Sequence, residues 1–118
     1  MYTGAFAAVS NRETWSFSVT VTDDAGVAVD LTGATITIGV REPESLQPKI
    51  TYTSGVSAEL TIPAPATSGV FALAAAMNPT LFPPGQYEVG VIVKLASGTK
   101  STLIVATLPV VDGVVTSP

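Results

Sequence analysis

At 118 residues the chain has material for one core, so it reads as a single domain spanning 1–118 with its core at about 12–111. Hydrophobic residues make up 47 % and charged ones 12 %, with a mean hydropathy of +0.49; apolar surface suffices to offset chain entropy, and disorder is excluded. A net charge of -4 offers no footprint for nucleic acid or an anionic membrane, and with no Cys and no His the chain lacks disulfides, the usual zinc ligands and the commonest nucleophiles and bases.

The longest apolar stretch, Val70 to Met77, is half alanine and too short to span a bilayer. Met1 to Ser10 has neither a basic region nor a long apolar core and does not read as a secretory signal. Valine and threonine are the commonest residues, sixteen each, and β-branched side chains favour strands.

The first clear strand is Trp15 to Thr22, where Trp15, Phe17, Val19 and Val21 alternate with hydroxyl residues and take one face. Asp23-Asp24-Ala25-Gly26 supplies a turn, with Gly26 free to take positive φ. Val27 to Gly33 leads into a second alternating run, in which Ala34, Ile36, Ile38 and Val40 face inward. Glu42 to Lys49, with two prolines and two acids, reads as an exposed loop. Ile50 to Thr53 and Val56 to Ile62 alternate about Ser54-Gly55, the pattern of a hairpin.

Pro63 to Gly69 breaks the ladder, because proline has no N–H to donate. In Val70 to Ala76 the alternation of Phe71, Leu73 and Ala75 favours a strand over a short helix. The prolines around Asn78 to Gly85 leave room for a single helical turn before a bend. Tyr87 to Lys94 is a further clear strand, with Tyr87, Val89, Val91 and Val93 in register, and Ala96 to Thr99 turns it back. Thr102 to Val111 is the last strand, and Pro109 places it at an edge. Seven or eight short strands with turns between them and no convincing helix predict an all-β fold: an antiparallel two-sheet sandwich of immunoglobulin-like type.

Little in the sequence promises chemistry. Asp23, Asp24 and Asp30 could offer oxygens to calcium, but the spacing is not that of an EF-hand, and aspartates in turns chiefly accept from backbone N–H groups. Glu42 and Glu44 are a carboxylate pair of the kind glycoside hydrolysis uses, yet they sit in a solvated loop without a cleft or acid-tuning pocket. Serines and threonines abound without a base to activate them, so no enzymatic activity, metal or cofactor is expected. Trp15 and Tyr87 could serve as platforms for sugar stacking, but both are in phase with the apolar faces of their strands, which favours the core.

Tyr2, Phe6, Tyr52 and Phe82 fall outside the clean ladders and are the aromatic candidates for partner contacts. The segment from Val110 to Val115 is apolar and β-prone, so Val111, Val114 and Val115 are the aliphatic candidates, pairing either with a partner strand or with their own sheet.

Taken in order, four pieces carry a resemblance: Thr14 to Val21 with the turn and the Asp30-Leu31-Thr32-Gly33-Ala34 lead-in to the next strand; Ile36 to Arg41 with its polar loop; Gly69 to Leu73; and Thr80-Leu81 to Gly85-Gln86-Tyr87. Over about residues 12 to 111 the chain resembles small bacteriophage virion structural proteins and the N-terminal domains of phage baseplate and fibre-attachment proteins. That resemblance implies an immunoglobulin-like sandwich in a virus particle, with no catalytic residues to carry over. Gly4 to Ser10 and Asp112 to Pro118 depart from the pattern and are expected to dock on something.

The reading is therefore a non-enzymatic virion component of the tail, baseplate or fibre attachment, assembled in the host cytoplasm and working through contacts with other virion proteins or with copies of itself. A capsid decoration protein is the alternative, and a carbohydrate-binding module the third reading. Neither nucleic acid nor membrane is an expected partner.

Overall fold

A computed structural model describes residues 2–78 and 80–112, residues 2 and 3 by their backbone alone. Among these residues are nine strands: β1 (Tyr2–Ala5), β2 (Val9–Ser10), β3 (Thr14–Thr20), β4 (Thr35–Arg41), β5 (Ile50–Thr53), β6 (Leu60–Thr61), β7 (Val70–Ala76), β8 (Gly85–Lys94) and β9 (Lys100–Val111). The larger sheet runs β1-β9-β8-β4-β5, with β2 also on β9; the smaller runs β3-β7-β6. Pairing is antiparallel except where β1 and β2 lie parallel to β9.

The alternation seen in the sequence sets which residues meet between the sheets. Ile36, Ile38 and Val40 of β4 and Tyr87, Val89, Val91 and Val93 of β8 face Trp15 of β3 and Phe71, Leu73 and Ala75 of β7, all at most 5 % exposed. A small sheet against a large one, with the N-terminal strand laid on the last strand, is an immunoglobulin-like sandwich. The turn before β8 carries a further mark of that fold: the Tyr87 hydroxyl donates to the carbonyl of Pro83 at 2.7 Å, a tyrosine corner.

Three expectations are corrected. Ile50 to Ile62 is not a hairpin: β5 pairs with β4, whereas β6 is two residues long and pairs with β7 in the other sheet. The Ser57 hydroxyl accepts from Thr53 N–H, and the N–H groups of Val56 and Ser57 donate to the Thr53 carbonyl, so the chain coils there and crosses between sheets. Nine strands replace seven or eight because the N-terminal segment contributes β1 and β2. Nor is β9 an edge, since those two strands cover it. The carbonyls of Thr107 and Val111 accept from Phe6 and Asn11, so the odd-numbered residues there turn their polar groups toward the N-terminal segment. Pro109 belongs to that set, and its missing N–H falls in the gap where β1 has ended and β2 has not begun.

Asn11, only 2 % exposed, holds that segment in place: its side-chain Nδ2 donates to the Phe82 carbonyl at 2.9 Å. Where a single helical turn was expected after Asn78, Phe82 N–H donates to the Asn78 carbonyl at 2.7 Å and brings the chain back on itself.

Burial holds the hydroxyls of Tyr52 and Tyr87 above the ordinary tyrosine range, with Glu59 adding to the effect at Tyr52. A tyrosine pKa raised by folding contributes stability that is complete below its unfolded value, about 10, and is lost as pH climbs through the higher folded value. The chain has no histidine, so its thermal midpoint is expected to be level between about pH 7 and 9 and to fall beyond about pH 10. A midpoint that stays level to about pH 11.5 would contradict this.

Candidate interaction surfaces

Backbone bonding decides which edge of the sandwich is open. At the two ends of the β3–β7 ladder, Val21 N–H donates to the Gly69 carbonyl at 2.7 Å and Met77 N–H to the Glu13 carbonyl at 3.0 Å. The odd-numbered residues of β3 therefore bond to β7. Thr14, Ser16, Ser18 and Thr20 aim their N–H and C=O groups the other way, where no strand lies among the described residues. Their side chains are exposed, and residues 14–22 include no charge and no proline. The other outer strands are shorter, at four residues in β1 and β5 and two in β2 and β6. Charges, prolines and short length are the usual shields of a sheet edge, and β3, at seven residues, has none of them.

Beside this edge the N-terminal segment packs against β3. Phe6, in the link between β1 and β2, packs on Trp15 edge-on at 5.8 Å and on Phe17 at 5.1 Å. A groove of about 550 Å³ runs there, lined by Phe6, Phe17, Val19, Leu103 and Ile104 among others. Phe17 and Val19 are only half-buried, unlike Trp15.

The outer face of the larger sheet has a second depression, about 380 Å³. Gly39 and Gly90 sit opposite each other in β4 and β8, and nothing lies within 4 Å of where a Cβ would stand on either. Ile92 and Val105, 43 % and 48 % exposed, flank this bare backbone, and the Arg41–Glu88 ion pair at 2.9 Å closes one end.

The residues singled out in the sequence scatter over the molecule. Phe6 lies at the groove, and Val111, 48 % exposed, ends β9 opposite Ser10. Tyr2 is placed by its backbone, opposite Ile104; Val114 and Val115 lie outside the described residues. Tyr52 and Phe82 are core residues, 3 % and 1 % exposed, which corrects the expectation of surface aromatics. Tyr52 pairs with Ile38 across the ladder and shares its inward face. Phe82 is folded in by its N–H bond to the Asn78 carbonyl and meets Tyr87 edge-on at 5.4 Å. Trp15 and Tyr87, 5 % and 4 % exposed, are in the core as their phase required.

Of the acidic candidates, Asp23, Asp30 and Glu42 are engaged locally, and Asp24 and Glu44 are exposed. Asp23 Oδ1 accepts from the N–H groups of Ala25 and Val27, and Asp30 Oδ1 from the N–H and hydroxyl of Thr32, at 2.6–3.0 Å. The Thr32 hydroxyl, and then its N–H, lower the Asp30 pKa below the usual carboxylate range. Glu42 pairs with Lys49 at 3.1 Å in the loop where Glu44 is exposed. Among the described residues no three Asp or Glu side chains gather as a metal would need.

What the sequence did not reveal is the open β3 edge. Its signal, a long strand free of charge and proline, was present, but which strand would be left unpaired depends on where the N-terminal segment docks.

No protein-family model matches the chain, and no curated protein matches it by sequence. Among solved structures it is similar to AggA, the major subunit of aggregative adherence fimbriae type I from Escherichia coli, at 15 % identity over 93 % of this chain and 91 % of that one, with a TM-score of 0.37.

Proposed function

We propose that this chain is a non-enzymatic structural protein of a bacteriophage particle, a tail, baseplate or fibre-attachment component that acts by binding other virion proteins and copies of itself. The observation that carries an assembling role is the β3 edge: an uncharged, proline-free strand of seven residues whose outer backbone groups are unpaired among the described residues. The choice of particle comes from the resemblance over residues 12 to 111. Its pieces fall on β3 and the Asp23–Gly26 turn, the lead-in to β4, the start of β7 and the corner before β8, which together make up much of the sandwich.

The test is mass spectrometry of phage particles made by the strain that encodes the chain, with heads and tails separated. Peptides of this chain are expected in the tail fraction. Recovery with heads would move the protein to capsid decoration, and absence from both fractions would reject a virion role.

A further inference from the structure

We infer that two copies of this chain join through their β3 edges, antiparallel, in the register that sets Phe17 opposite Phe17 of the second copy. The inference rests on the reading of this protein as an assembling one, but not on which particle it enters. Only Thr14, Ser16, Ser18 and Thr20 have free edge groups, so a strand added to β3 must bond to those four residues.

In the Phe17-centred register, Thr14 lies opposite Thr20 of the second copy and Ser16 opposite Ser18. Every free N–H and C=O of β3 then finds a partner in both copies. A slip of one residue would offer groups already bonded to β7. A slip of two would set an end residue of β3 against Arg12, or against Thr22 beside Asp23, outside the strand.

The side chains fit a second copy as well. On the outer face threonine meets threonine and serine meets serine, pairs that hydrogen-bond across strands. On the inner face Phe17 meets Phe17 and Trp15 meets Val19, extending the apolar surface that Phe17 and Val19 leave half-exposed beside the groove. Each copy carries a net charge of -4, yet β3 itself carries none, so two copies meet here without opposed like charges. By the same token the edge has no charge that would select a foreign partner of opposite sign. Such a contact is two-fold and closes on itself.

Light scattering across a concentration series is expected to show a species of twice the 12.0 kDa chain mass. The native chain has no cysteine, so register can be read from S16C and S18C, both at exposed positions. With oxidised glutathione as the oxidant, a mixture of S16C and S18C is expected to form the crossed disulfide dimer. Neither variant alone should do so, because its two thiols sit on a diagonal, about 7–8 Å apart, beyond disulfide reach. S16K/S18K, which sets lysine against lysine, is expected to be monomeric with its thermal midpoint kept within a few degrees.

A native chain that is monomeric at every concentration overturns the pairing and points to another cover for the edge, such as its own residues 113–118. A dimer in which S16C links to itself, or in which the mixture fails to link, overturns the register. Particles that contain the chain while the purified protein stays monomeric would overturn this inference alone. A dimer absent from all particles would overturn the virion reading alone.

Discussion

Phe82→Ala is expected to destabilise the fold by about 3–5 kcal/mol, a large part of the total stability of a domain this size. Phe82 is 1 % exposed and stacks edge-on against Tyr87, so truncation leaves a cavity beside the tyrosine corner. The corner limits how far the site can collapse, because Tyr87 is tied to Pro83 and the Phe82 carbonyl to Asn11. A urea titration followed by Trp15 fluorescence measures the loss directly. A change below about 1 kcal/mol would mean that Phe82 lies on the surface, as its place outside the alternating runs first indicated.

Gly69→Ala is the second large effect, and it tests backbone rather than core. Gly69 follows a single turn of 3-10 helix (Ala66–Ser68) and adopts φ +74, where any Cβ is strained. At this position a Cβ would also come within 2.9 Å of the carbonyl oxygens of both Val21 and Val29. The Val21 oxygen cannot withdraw cheaply: it accepts from Val29 N–H at 2.9 Å, and Val21 N–H donates to Gly69 itself. Strain of about 1–2 kcal/mol and overpacking of similar size together predict a loss of about 2–4 kcal/mol. Gly55→Ala is the control, since Gly55 has φ +81 with nothing within 4 Å and should cost only about 1 kcal/mol. Equal losses at the two glycines would remove the close approach as the cause.

Much of the architecture was legible because period-two patterning is a local signal. Trp15 to Val21, Ala34 to Val40 and Tyr87 to Val93 each read as one inward face, and in the structure each lines the core. The Asp23–Gly26 turn was equally local, written in residues that bond to their own neighbours. The hairpin expected about Ser54-Gly55 failed for a reason of the same scale. Alternation shows which way side chains point but not which sheet a strand joins, and the bonds of Thr53 with Val56 and Ser57 turn the chain away from β5.

The candidate surface was legible in its parts and not in its placement. Strand β3 showed itself as long, uncharged and free of proline, whereas Pro109 drew attention to β9 as the edge. Patterning along the chain therefore determined that this protein is an all-β sandwich and which residues of its alternating strands face the core, though not Tyr52 or Phe82, and composition determined that the usual chemistry of thiols and imidazoles is missing from it. Which edge stays open was decided only in three dimensions. A strand's outer N–H and C=O groups can be met by any strand that arrives beside them, and β1 and β2 satisfy β9 rather than β3, held there by Asn11 and the stacking of Phe6 on Trp15 and Phe17. That choice depends on contacts between residues up to about a hundred positions apart, such as Tyr2 with Ile104, and no local pattern encodes them.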